Sequence, residues 1–264
     1  MRPHIMEVRN KVAIVTCAGG GGSGRAEARR LAREGARVVV SDIDEAGGQE
    51  TVRLISADGG TATFVKADVA IETDVRSLIA AAERAYGGLD ILVNNAGPYY
   101  QKEPLEYWKE TVEGNLLGTM YGIIHAVEAM RRRHGGAIIT IGSTSAVGHG
   151  WKHSLSPAYD AAKAGVMRLT TTLAWLKDKD NIRVNCLVPD WVATEEIARW
   201  VEPLTPQQRK AERVPDVLTT LDEIGDAMMQ LIRDDTLAGR ILVWWSGEPR
   251  RLIPVGDRGH GLLD

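Results

Sequence analysis

The apolar run VAIVT at Val12–Thr16 opens directly into CAGGGGSG at residues 17–24, and then into RAEARRLARE at residues 25–34. A β-branched run of this length reads as a buried strand. The helix formers after it place Ala26, Leu31 and Ala32 on a candidate buried stripe, and Gly35 ends the helix. A strand delivered through glycines into a helix N-terminus leaves few folds open. The glycines permit a tight turn and close backbone approach. The first helical turn offers unpaired N–H groups and a positive dipole end, a combination that suits a pyrophosphate.

Strand-like and helix-like segments then alternate to the end of the chain. Strands are predicted at residues 38–40, 61–65, 89–93, 137–141, 182–188 and 240–245. Helices are predicted at residues 45–57, 74–86, 105–133, 158–176 and 221–233, with a polar, partly helical stretch around a loop at 195–212. The alternation predicts an α/β fold, a doubly wound parallel sheet of about seven strands with helices on both faces. No linker, repeat or low-complexity segment interrupts it, so one domain over residues 1–264 is expected, with a substrate loop at about 190–215 and an irregular tail at 247–264 rich in Gly, Pro and Arg.

Composition narrows the function classes. At 264 residues the chain can bury a sizeable core. A net charge of -3 gives no reason to expect nucleic acid or an anionic membrane as partner. No apolar run reaches membrane-spanning length, and MRPHIMEVRNK at the N-terminus has no apolar signal-peptide core. Cys17 and Cys186 are far apart and show no metal or redox spacing, which fits a reducing cytoplasm. His149 and His153 find no companion ligands, so no metal is expected.

Two further features carry chemistry. Asp42 ends the second predicted strand, 18 residues after Gly24. A carboxylate there can accept from both ribose hydroxyls and would repel a 2′-phosphate, which favours NAD over NADP. Tyr159 and Lys163, in YDAAK, are four residues apart and share a helix face. A free phenol with a pKa near ~10 is a poor base at neutral pH, and a neighbouring ammonium favours its phenolate. The pair suits proton transfer to or from an alcohol. On its own it reads sooner as a surface Tyr and Lys on an ordinary helix. Upstream lie three hydroxyls, Ser143, Thr144 and Ser145, while Ser154 and Ser156 read as loop or N-cap residues.

Taken together, these motifs resemble the short-chain dehydrogenase/reductase family, in its short single-domain branch, over nearly the whole chain. The fold implied is of the Rossmann type. Against the family's Thr-Gly-x3-Gly-x-Gly, Thr16 matches the Thr, and Gly22 and Gly24 match the last two glycines, with Gly20 and Ser23 in the same cofactor loop. One residue too many lies between those ends. Cys17, or Ala18 if aligned from the helix side, stands where the first Gly would fall, and Gly19, Gly20 and Gly21 offer the turn in a shifted register. Asp68 and Val69 resemble the pair that contacts adenine. Asn94-Asn95-Ala96-Gly97 matches the family's Asn-Asn-Ala-Gly, implying that Asn94 braces the sheet and that Asn95, Ala96 and Gly97 line the cofactor. Pro189-Asp190-Trp191-Val192-Ala193-Thr194 resembles Pro-Gly-x-Val-x-Thr, so Pro189, Val192 and Thr194 are expected at the nicotinamide, with Asp190 in place of the usual Gly.

The resemblance also implies a catalytic set of Asn115, Ser145, Tyr159 and Lys163. Tyr159 would exchange a proton with the substrate oxygen. Lys163 would lower the Tyr pKa and hold the ribose, and Asn115 would hold a relay water. Ser145, 14 residues before Tyr159, would hydrogen-bond the substrate oxygen, with Ser143 as the other candidate at an interval of 16. The activity implied is NAD-dependent hydride transfer on a secondary alcohol or ketone, in a cytoplasmic homodimer or homotetramer. Tyr99, Ser143, Trp151, Trp191 and Trp200 are candidate substrate contacts, with Pro98, Tyr100, His149 and His153 nearby. The alternative for these aromatics is core or subunit packing, which is the expectation for Trp175 and, at an interface, for Trp244-Trp245. The competing functional class is a non-catalytic nucleotide-binding relative acting as scaffold or sensor.

Overall fold

The computed structural model describes residues 5–95, 97–98, 104–147 and 156–256. Seven strands run parallel: β1 (Val12–Thr16), β2 (Arg37–Asp42), β3 (Thr61–Lys66), β4 (Ile91–Asn94), β5 (Gly136–Ile141), β6 (Ile182–Pro189) and β7 (Ile241–Trp244). A two-residue β8 (Arg251–Leu252) pairs antiparallel with β7, and the sheet order is β3-β2-β1-β4-β5-β6-β7-β8. The helices are α1 (Ser23–Arg33), α2 (Glu45–Ala57), α3 (Glu72–Tyr86), α4 (Trp108–Val112), α5 (Gly118–Arg132), α6 (Pro157–Thr172), α7 (Leu176–Asp180), α8 (Glu195–Val201), α9 (Pro206–Ala211) and α10 (Leu221–Arg233).

The pleat distributes β1 between two cores. Ala13 and Val15 pack with Ala28 and Leu31 of α1, Ile55 of α2 and Met228 of α10. Val12 and Ile14 point the other way, onto Leu78 and Ile79 of α3 and Ile123 and Ala126 of α5. Alternate side chains reach opposite faces, so every β1 residue is buried and the strand reads as unbroken apolar sequence. Each fully buried Leu or Ile stabilises the fold by roughly 1.5–3 kcal/mol. The strand order reverses between β1 and β4, so their carboxyl ends open a crevice at the switch point.

Four local expectations are corrected. The helical region predicted at 105–133 is not continuous. A 3-10 turn at Leu105–Tyr107 and α4 lead into a π-turn at Glu113–Leu117 before α5 begins. The helix predicted to reach residue 176 stops at Thr172, and Trp175, expected in a core or subunit contact, is outside its own chain's core and exposed beneath Lys179. The strand at 241–244 is not the last, because the tail returns as β8. That return changes Trp244, which is buried in its own chain's core, donates from Nε1 to the Glu248 carbonyl at 2.9 Å and lies under Arg250. It does not wait for a partner subunit.

Glu27, on the inner side of α1, is fully buried, and neither carboxylate oxygen has a partner among the described residues. Burial alone raises its pKa to about 8, so it is neutral at pH 7.

Candidate active site

The glycine loop lies at the carboxyl end of β1. Cys17 adopts φ +50, the left-handed region that glycine enters most easily, and so does the work of the missing first Gly. Ala18 is buried and donates to the Ser41 carbonyl at 3.1 Å. The loop therefore stays tied to β2 while the extra residue is taken up in the glycines that follow. Gly24 has no room for a side chain, since a Cβ would lie 2.3 Å from the Cys17 carbonyl oxygen and 2.5 Å from Asn95 Nδ2. Gly20, by contrast, faces open space. The α1 N-cap, Gly22, provides no side-chain cap, and the first turn holds no acidic residue. The N–H groups there are left for a ligand.

Three side chains brace this loop. Asp42 Oδ2 accepts from Gly19 N at 2.8 Å and Oδ1 from Asp44 N at 3.0 Å. Buried Thr51 donates to the Ala18 carbonyl at 2.6 Å and accepts from Arg25 Nε at 2.9 Å, and the same guanidinium donates to the Gly19 carbonyl. The sequence patterns gave no loop-bracing role to Arg25 or Thr51. The available signal was the extra loop residue itself, which needs partners that a standard loop does not. Glu195, also unforeseen, places its carboxylate over Gly21, where a Cβ would approach within 2.7 Å.

At the end of β4, Asn94 is buried and donates to the Thr119 carbonyl on α5 at 3.4 Å. Asn95 N donates to Thr16 Oγ1 at 3.1 Å, joining the ends of β4 and β1. Gly97, at φ +139, sits so close to α5's π-turn that a Cβ would lie 2.0 Å from Asn115 Oδ1. Asn115 Nδ2 donates to the Pro98 carbonyl at 2.9 Å and to the Thr111 carbonyl at 3.0 Å. Its Oδ1 is buried with no partner among the described residues. The π-turn thus aims Asn115 at the Asn-Asn-Ala-Gly turn, a use to which such bulges are often put. Asp68 Oδ1 accepts from Ala70 N at 2.9 Å, and Val69 packs on Gly118, where a Cβ would meet the Val69 carbonyl oxygen at 2.9 Å.

At the end of β5 the three hydroxyls separate. Ser143 and Ser145 hydrogen-bond to each other at 2.9 Å. Thr144, between them, is buried and donates to Asp190 Oδ1 at 2.7 Å. Ser156 occupies the N-cap position of α6. On α6, Lys163 is buried, donates to the Ile141 carbonyl at 2.9 Å and lies 5.4 Å from the centre of the Tyr159 ring. Burial lowers its pKa to about 8, against the smaller raising effects of Cys186 and Cys17. Pro189 ends β6 opposite Trp244, Val192 forms a bridge to Thr219, and Thr194 Oγ1 accepts from Ile197 N at 3.2 Å as the α8 N-cap. Trp191 and Trp200 stack with ring centres 5.7 Å apart. Ala96, Tyr99, Tyr100, His149, Trp151 and His153 lie outside the described residues.

The family model described as short chain dehydrogenase matches residues 11–204. An uncharacterized oxidoreductase of Thermotoga maritima is 36% identical over 222 residues, covering 80% of this chain and 85% of its own. The L-rhamnose 1-dehydrogenase (NAD(P)(+)) of Azotobacter vinelandii is 38% identical over 242 residues, covering 88% of each chain. A crystal structure of a short-chain dehydrogenase/reductase from Burkholderia xenovorans superimposes with a TM-score of 0.81 at 31% identity, over 90% of this chain and 95% of that one. The family-model match runs from the strand before the glycines past α8, and with the relatives and the sheet order it settles the classification: the chain belongs to the short-chain dehydrogenase/reductase family.

Proposed function

We propose that this protein is an NAD-dependent oxidoreductase that interconverts a secondary alcohol and its ketone, with Tyr159 as proton donor and acceptor. The observation that supports this reading is a buried Lys163 that bonds the Ile141 carbonyl at the end of β5 and lies 5.4 Å from the centre of the Tyr159 ring, on a helix that packs against the turn carrying the Ser143–Ser145 hydroxyl pair. The residues in the crevice suit a nicotinamide dinucleotide. Gly24 clears the approach to the α1 N-terminus, and Asp42 is held at the end of β2 with lone pairs left for ribose hydroxyls. A 2′-phosphate would stand against that carboxylate, which supports NAD as the preferred form.

The bound nicotinamide supplies the carbon that gives or takes the hydride. Ser145 donates to the substrate oxygen and stabilises its developing charge. Tyr159 moves the proton, Lys163 favours its phenolate through charge, and Asn115 orders the relay behind Lys163. Trp191 and Trp200 form an aromatic wall suited to an apolar substrate body. A homodimer or homotetramer is supported by Leu105, Tyr107, Trp108 and Ile124, which stay exposed on the α4–α5 side. The test is cofactor titration followed by NADH absorbance against a panel of secondary alcohols and ketones. Absence of NAD and NADP binding sinks the reading of the loop. Tight binding without turnover across the panel turns the assignment to a scaffold or sensor.

A further inference from the structure

Asp190 stands where the family pattern has glycine, directly after β6. Both oxygens of its carboxylate have partners within the chain. Oδ1 accepts from Thr144 Oγ1 at 2.7 Å, and Oδ2 accepts from Ser246 N at 3.1 Å. Thr144 follows β5 and Ser246 follows β7, so one carboxylate ties together the carboxyl ends of three neighbouring strands. Thr144 also lies inside the 3-10 turn at Thr144–Ala146, where Ala146 N donates to the Ser143 carbonyl and Val147 N to the Thr144 carbonyl. Holding Thr144 inward leaves its two neighbours, Ser143 and Ser145, paired with each other.

We propose that Asp190 is a positioning residue that fixes the orientation of Ser145 through Thr144 and locks this turn to the segment after β7. The proposal rests on the reading of Ser145 as the hydroxyl that meets the substrate oxygen. A carboxylate can satisfy both donors at once. An amide at the same place has one acceptor oxygen and would present N–H₂ to the other donor. Threonine 144 contributes only its hydroxyl to the brace, so removing that hydroxyl isolates the Asp190–Thr144 arm and leaves the Ser246 arm intact.

The experiment uses Asp190→Asn, Thr144→Val, Thr144→Ser and Ser145→Ala. It reads kcat, the KM for NAD, and hydrogen exchange at the Ala146 and Val147 amides. Asp190→Asn and Thr144→Val should each lower kcat about tenfold, a fraction of the roughly 10²-fold loss expected for removing the donor itself. The KM for NAD should change less than kcat, because Pro189 keeps its place in β6 and Thr194 its cap of the next helix when the carboxylate becomes an amide. Thr144→Ser should keep the wild-type kcat. In a Ser145→Ala background, Asp190→Asn should cost nothing further, since both act on one interaction. Exchange at Ala146 and Val147 should quicken about tenfold in Asp190→Asn.

An equal loss from Asp190→Asn with and without Ser145 would overturn the positioning role, as would wild-type kcat and exchange in both brace variants. The exchange measurement needs no substrate. A wild-type protein without turnover would sink the dehydrogenase reading, while amide protection would still decide whether Asp190 holds the turn.

Discussion

Two loops at the carboxyl edge of the sheet are each held by a carboxylate from a strand end, and they use it differently. In the glycine loop, Asp42 spends one oxygen on Gly19 N and the other on Asp44 N. Both donors are backbone groups on one rim, so the carboxylate is oriented yet open to further donors. In the hydroxyl turn, Asp190 lies between Thr144 and Ser246, on segments that follow two different strands. The first geometry leaves a carboxylate with lone pairs free for a ligand, and the second uses one as an internal strut. Residue type and strand-end position are the same in both. The separation of the partners decides the role.

The sharpest way to break this contrast is Tyr159→Phe, which should lower kcat by about 10³-fold while NAD affinity, followed by fluorescence titration, stays within about threefold. Full activity in that variant would remove the proton-transfer role from the hydroxyl side. Gly24→Ala strikes the other loop. Its methyl would collide with the Cys17 carbonyl and Asn95, so NAD affinity should weaken at least about tenfold and stability should fall by about 1–3 kcal/mol in urea titration. Unchanged affinity would mean that the loop does not approach the cofactor there.

Asp42→Ala should narrow the NAD-over-NADP ratio of kcat/KM by roughly tenfold, because the repulsion of a 2′-phosphate goes with the carboxylate. If the ratio holds, Asp42 is only the anchor of Gly19. The smallest effect is in stability. Glu27 carries a proton in the folded state up to about pH 8, whereas the unfolded chain releases it near the ordinary carboxyl value of 4.5. The unfolded state therefore binds fewer protons across that window, and folding loses stability as pH rises through it. Glu27→Gln should melt on the order of 5 °C above wild type at pH 8, with the gap closing below pH 4.5. A gap independent of pH would show that folding does not shift the Glu27 pKa, and a wild type that melts above Glu27→Gln at neutral pH would show that Glu27 is charged and paired in the fold.

Much of the architecture was legible because its causes are local. Apolar β-branched runs between amphipathic helices predict a parallel sheet without any knowledge of what touches what, and seven of the eight strands were predicted. The eighth, Arg251–Leu252, is two residues long and exists only because β7 offers an edge to pair with. The break in the 105–133 helix was invisible for a similar reason. Glycines at 114 and 118 read as weak helix positions, but the π-turn is fixed by Pro98, Gly97 and Val69 packing against it.

The candidate site divides along the same line. Spacing brought out Tyr159 and Lys163, and strand-end position brought out Asp42, since a helix repeat and a strand terminus are properties of the chain itself. Spacing to Tyr159 singled out Ser145, with Ser143 as the other candidate, but gave no reason why Thr144 between them stands apart. Tertiary structure turned Thr144 inward to Asp190, a residue 46 positions away. The same holds at the glycine loop, where the extra residue is counted in the sequence but absorbed by a left-handed Cys17 and by Thr51 and Arg25. The sequence by itself determined the fold class, the family motifs and the chemistry on offer, because those follow from periodicity and residue type. Only the tertiary structure decided which carboxylate is a strut and which hydroxyls stay together, because a hydrogen bond depends on distance in space, and the sheet alone brings those distant residues within reach.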